Sequence, residues 1–249
     1  MMRFSITVLW LLIVAAVALV ALAPATWLDR RIAAASDGSL RLSDAEGTVW
    51  QGRGELGDAR GTWRIPVAWR ISPLPLLRGA VDIELASSAD PDAPRGRLLL
   101  ENDSVTFRNV ALRVPASVLG TLASTRLPVE PGGELVLDAP QFRYRPNQID
   151  GAFDLRWQRA RLATAGSAVD LGTVTAHVAP QGSALAGVIG NVGGDARIDG
   201  DVSLSASGIA FRARIAPGPN VPPDIARMLA ALGTPDANGV VHLQGSARR

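Results

Sequence analysis

The sequence predicts a mainly β protein: an N-terminal transmembrane helix, then one curved, largely antiparallel β-sheet domain with two short helices. Three observations predict it. Residues 4–23 carry no charge, strict apolar–polar alternation dominates beyond residue 40, and turn chemistry rather than helical periodicity separates the alternating runs. The chain has 249 residues, 47% of them hydrophobic. That is enough for a sizeable core, so wholesale disorder is excluded.

The uncharged run reads FSITVLWLLIVAAVALVALA. At 1.5 Å per residue a helix of this length spans the roughly 30 Å hydrocarbon layer, and lipid forces its backbone to be helical. Trp27 suits the interface, and Pro24 marks the helix end. The pattern Ala21-Leu22-Ala23 also resembles a signal-peptide cleavage site. Against cleavage, Pro24 would follow the cut, and the run exceeds the usual 7–15 apolar residues. The expected organisation is a tip and anchor at 1–28, then a β-rich domain at 29–249. Arg30 and Arg31 outnumber Arg3, which by the positive-inside rule argues for the opposite orientation.

Alternation then defines the strands. Trp63, Ile65, Val67 and Trp69 oppose Arg64 and Arg70; Val81, Ile83 and Leu85 oppose Asp82 and Glu84. Leu135 and Leu137 alternate with Glu134, Val136 and Asp138, while Phe153, Leu155 and Trp157 alternate with Asp154, Arg156 and Gln158. Val202 and Leu204 lead to Phe211, Ala213 and Ile215, which oppose Arg212 and Arg214. One apolar and one polar face per run is the signature of an antiparallel sheet wetted on one side. Residues 87–96, Pro131-Gly132-Gly133, Arg145-Pro146-Asn147 and Gly193-Gly194-Asp195 read as breaks. Pro66 implies an edge position or a bulge, and a change of phase between Phe107 and Val110 implies a bulge. Two segments break the β pattern. One is PASVLGTLA, with Pro115 at the first helical position. The other is PPDIARMLAALG, with Ile225, Met228, Leu229 and Leu232 on one helical face and Gly233 as stop.

Composition excludes several chemistries. Cysteine is absent, so disulfides, thiolate metal sites and cysteine nucleophiles are ruled out. The formal charge is +2, yet the pI is about 10.2. All 25 basic residues are arginine, so almost nothing titrates between neutral pH and about 12. The high pI is a missing buffer, not a basic surface, and nucleic acid has no electrostatic footprint. His177 and His242 fall on the polar phase of their runs, without the close ligand spacing a metal needs. No carboxylate pair, phosphate loop or nucleophile constellation stands out, so no catalytic, cofactor or metal site is expected.

Trp50, Trp63 and Trp69 lie within twenty residues, flanked by Arg64 and Arg70. Aromatic and arginine side chains are preferred interface anchors, which makes these five the candidate partner interface. Alternatively, the tryptophans fill the core of a sheet otherwise built from Val, Leu and Ala.

The chain resembles the type II secretion system protein N family. The features are the short N-terminus with one anchor, GTVWQG at 47–52, SPLPLLRG at 72–79, and LGTPDANGVV before a last strand. The resemblance implies a non-enzymatic inner-membrane protein, single-pass, with the bulk of the chain periplasmic and no cofactor. It implies partnership with the other inner-membrane platform subunits, supporting export of folded periplasmic proteins across the outer membrane. An alternative is a periplasmic lipid- or hydrophobe-binding β-groove protein anchored in the same membrane.

Overall fold

In the computed structural model the described residues are 22–85, 93–122, 129–146, 148–164, 167–182, 184–205, 208–218, 223, 227 and 233–248. Short turns join many of the alternating runs, and runs that follow one another in sequence pair side by side. The strands are β1 (Leu40–Gly47), β2 (Gln51–Asp58), β3 (Arg64–Ser72), β4 (Val81–Leu85), β5 (Arg95–Leu100), β6 (Val105–Pro115) and β7 (Glu130–Arg145). They continue as β8 (Gln148–Ala163), β9 (Ala168–Gln181), β10 (Ala184–Val192), β11 (Ala196–Ser205), β12 (Gly208–Pro217), β13 (Thr234–Pro235) and β14 (Val241–Arg248). All lie in one antiparallel sheet in sequence order, except that the two-residue β13 lies outside β14. A flat sheet holds alternate strands about 9.6 Å apart. Here the Cα atoms of β9 and β11, and of β8 and β10, approach within 8 Å, so the sheet curls there.

Register keeps the apolar side chains on one face from β1 to β14. Leu42 opposes Leu56, Trp69 opposes Leu85, Phe107 opposes Phe142, Leu155 opposes Ala176, and Ile198 opposes Ile215. A one-residue slip would turn every following side chain to the other face. Bulges absorb the odd residues. Asn109 adopts φ 49°, so Phe107 and Val110 share the apolar face despite their odd separation, as the phase change predicts. Arg159 at φ 48° does the same between Trp157 and Ala160. Gly172 does so between Leu171 and Val174; its φ is +69°, and a Cβ there would lie 2.3 Å from the Val192 carbonyl.

Proline placement departs from expectation at two points. Pro115 is the last residue of β6, opposite Glu134, rather than the start of a helix; α2 begins at Val118 and runs Val118–Leu122. Pro131-Gly132-Gly133 is not a break but lies within β7. A bulge there absorbs Gly133, whose φ is +95°. Pro66 lies within β3 and pairs with Glu55 of β2; the chain that follows Leu85, which would flank it on the β4 side, lies outside the described residues.

One helix went unforeseen. Thr26–Ala35 forms α1, which crosses the expected 28/29 boundary as a single element. Leu28 and Ile32, one turn apart, pack on the cluster of Ala25, Leu42 and Trp69. The Asp29 carboxylate accepts from Arg41 Nε at 2.9 Å and Nη2 at 2.7 Å, and from the Leu42 N–H at 2.9 Å, tying α1 to β1. Among the described residues no helix is long and apolar enough to cross a membrane. The expected span at 4–23 lies outside them except for Leu22 and Ala23. The apolar stripe Ile225, Met228, Leu229 and Leu232 also lies outside them; Pro223 and Arg227 are helical and exposed.

Two further clusters complete the core. One gathers Ala160, Val169, Leu171, Ala196, Ile198, Ile215 and Val241, all on the apolar face. The other joins Ile149, Val178 and Leu185 to the half-buried Phe142, Tyr144 and Phe153. Asn191 is the polar member of this face. Its Nδ2 lies 2.9 Å from the Leu171 carbonyl and 2.7 Å from that of Ala196, and its Oδ1 accepts from the Ile198 N–H at 2.7 Å. Those bonds satisfy backbone groups where the β10–β11 turn leaves the ladder.

Candidate functional site

The five residues of the candidate interface do not form one surface. Trp63 and Trp69 are each only 6% exposed. Trp69 sits on the apolar face, its ring over Gly52, where an added Cβ would lie 2.5 Å from Cζ2. Its indole Nε1 donates to the Val49 carbonyl at 3.0 Å. Trp50 is half-buried in the β1–β2 turn, and its carbonyl accepts from the Ile71 N–H at 2.6 Å. Trp63 and Trp69 are therefore buried, while Trp50 is only half-buried. Alternation sends Arg64 and Arg70 to the opposite, polar face, where they remain exposed.

That polar face is a lattice of cross-strand ion pairs. Arg64 reaches Glu55 at 3.5 Å and Arg70 reaches Glu84 at 3.9 Å; all four side chains are well exposed, so each pair contributes about 0–1 kcal/mol. The most buried carboxylate among the described pairs is Asp82, held by Arg97 in a bidentate pair with Nε to Oδ1 at 2.7 Å. The Asp82 side chain is only 10% exposed, and the Arg97 guanidinium holds its carboxyl below the usual carboxylate range, with Arg108 adding to the field. At Asp58 burial pushes the carboxyl up, but hydrogen bonds from the Thr62 hydroxyl and the Trp63, Thr62 and Arg60 backbone outweigh it and the net shift is down. Arg41 and the Leu42 N–H likewise lower Asp29.

Both histidines stand on the polar face, as their phase predicts. His177 Nδ1 lies 2.7 Å from Asp154 Oδ1, and His242 Nε2 lies 3.5 Å from Asp236 Oδ2. Among the described residues no three His, Asp or Glu side chains gather as a metal site. A shallow cleft of about 600 Å³ opens on the polar face of β10–β14. Asp199, Asp201, Arg212, Arg214 and His242 line it. Its acidic and basic groups face one another across strands, Arg212 with Asp201 at 3.8 Å, so it presents balanced charge.

The feature sequence reasoning missed is a short 3₁₀ turn, Leu74–Arg78, between β3 and β4. Leu74 is 75% exposed and Leu77 85%, more than any other large apolar side chains described except Val192. The SPLPLLRG motif marks the place, but leucine in sequence reads as core, and no local pattern announces exposure.

Comparison with known proteins agrees with the motifs. No curated protein and no solved structure matches the chain. A family model does match: type II secretion system (T2SS), protein N, over residues 38–244, from just before β1 into β14. That match covers most of the chain and nearly all of the sheet, and it gives the chain a role in type II secretion with other subunits of that system as partners. The protein therefore belongs to the type II secretion system protein N family.

Proposed function

We propose that this protein is a non-enzymatic inner-membrane component of the type II secretion system. Residues 4–23 anchor it, and its sheet stands in the periplasm, where it supports export of folded proteins across the outer membrane. The observation that carries this reading is the family match along the sheet, following twenty uncharged residues. Its partners are inner-membrane platform subunits. They meet the polar face around Arg64 and Arg70, since charged, exposed strands can be read by complementary charge, while the apolar face of these strands is covered by α1.

A reporter active only in the periplasm, fused after Arg249, is expected to be active. Detergent-solubilised pull-down is expected to recover platform subunits, and loss of the protein to leave exoproteins folded in the periplasm. An expressed but inactive fusion overturns the location. Unimpaired export overturns the role.

One observation favours a second reading, a groove for lipid or another hydrophobe. Phe107, Phe142 and Phe153 form a row on the apolar face, with ring centroids 5.7 and 5.9 Å apart, and all three are half-buried. The residues clustered with Phe142 and Phe153 all come from strands. Phospholipid that co-purifies in place of platform subunits would favour this reading.

A further inference from the structure

We propose that the leucine turn between β3 and β4 is a second membrane contact: Leu74, Leu76 and Leu77 insert into the lipid interface beside the point where the chain leaves the bilayer. The proposal rests on the reading of residues 4–23 as a membrane segment.

Chain continuity places the turn. Leu22 and Ala23 end the apolar run, and the fold begins at once. The Ala23 carbonyl accepts from the Val49 N–H at 2.9 Å, Pro24 bridges to Thr48, and the Ala25 N–H donates to the Gly47 carbonyl at 3.1 Å. At no more than about 3.6 Å per residue, the chain has no linker with which to stand off from the membrane. The β1–β2 turn therefore lies close to the bilayer surface. That turn also holds the end of β3 through the Trp50 carbonyl and Ile71 N–H, and three residues beyond Ile71 the 3₁₀ turn begins.

Exposure points the same way. Of the large apolar side chains exposed among the described residues, Leu22, Trp27, Leu74, Leu76 and Leu77 belong to this end; Val188, Val192 and Phe211 lie on other strands. Exposed leucines grouped in this way mark a contact surface. The turn is also suited to low polarity. Pro73 and Pro75 have no N–H to desolvate, and the N–H groups of Leu76, Gly79 and Ala80 donate to Pro73, Leu76 and Pro75 carbonyls within the turn at 3.2, 3.0 and 3.1 Å. Trp27, on the first turn of α1, and Arg78, within the turn, are exposed and supply interfacial and headgroup chemistry. Glu101 and Asp103, in the neighbouring β5–β6 turn, offset the Arg78 charge. The contact is thus apolar and does not require anionic lipid.

The absence of cysteine permits a clean test, because one introduced thiol is labelled uniquely. Full-length protein carrying Leu77→Cys, Val188→Cys or Val14→Cys is labelled with an environment-sensitive fluorophore and reconstituted alone into phosphatidylcholine vesicles with and without doxyl-labelled lipid. Leu77 and Val188 are highly exposed, so neither substitution threatens the fold. Blue-shifted emission at Leu77, lost on doxyl quenching, with no change at Val188, supports the contact. A shielded Val14 label with a water-exposed Leu77 label overturns the contact and leaves the membrane segment standing. An unshielded Val14 label overturns the membrane segment and, with it, this inference. Shielding of Leu77 only after secretion-system subunits are added makes the turn a protein contact and also overturns it.

Discussion

Trp69→Ala tests whether the tryptophans act as core or as interface. The side chain is 6% exposed, covers Gly52, and packs with Ala25 and Leu42 where α1 meets β1. Truncating a core tryptophan costs about 3–5 kcal/mol, and part of that is the Val49 carbonyl left without its indole donor. Domain stabilities are about 5–15 kcal/mol, so the loss takes a large share. At about 2–4 °C per kcal/mol for a domain of this size, the melting temperature should fall by about 6–20 °C. Trp69→Phe keeps a ring over Gly52 but loses the donor, and should cost about 1–3 kcal/mol. Trp27→Ala, at a half-exposed position, should cost no more than about 0.5 kcal/mol. Far-UV circular dichroism melts of the detergent-solubilised full chain measure all three. A Trp69→Ala protein that melts within about 2 °C of the parent, yet loses its secretion-system partners, would refute the core assignment and restore the tryptophan to the interface.

Other outcomes follow from the same geometry. Arg64→Glu with Arg70→Glu, on exposed pairs, should change stability by less than about 1 kcal/mol but reduce capture of platform subunits; undiminished capture removes that surface from the proposal. Asn191→Leu strips partners from the Leu171 and Ala196 carbonyls and the Ile198 N–H, so a loss of about 2–4 kcal/mol is expected in urea titration. Asp82 is lowered in the folded protein. Its contribution is therefore complete above its unfolded pKa of about 3.9 and lost as pH falls through the folded value. Asp82→Asn should then melt below the parent at pH 7, and the gap should close in acid; a gap independent of pH would show that the charge is not what Arg97 stabilises. Gly172→Ala forces a Cβ into the Val192 carbonyl at a left-handed position and should destabilise by at least about 1–3 kcal/mol.

Local chemistry determined the strands. Period-2 alternation is a property of neighbouring residues, so the faces of Trp63 to Trp69, Leu135 to Leu137 and Phe153 to Trp157 were legible, as was the bulge near Asn109 from the change of phase. The family was legible too, because its motifs are ordered along the chain. Helix α1 was not, since Leu28 and Ile32 make only a short apolar stripe that is helical because β1 and β3 are there to bury it. Nor could sequence decide the proline breaks: Pro131-Gly132-Gly133 and Pro115 read as interruptions locally, yet β7 runs through the first because a bulge absorbs the glycine, and β6 extends to the second because a strand end tolerates a missing N–H. The same limit applied to the functional surface. Tryptophan and arginine that stand beside one another in sequence go to opposite faces of a strand, and leucine looks like core wherever it occurs. Only the tertiary structure put Trp69 inside, Arg64 and Arg70 outside, and the leucines of the β3–β4 turn in the open, because burial depends on which distant strands come to cover a side chain, and adjacent residues do not carry that information.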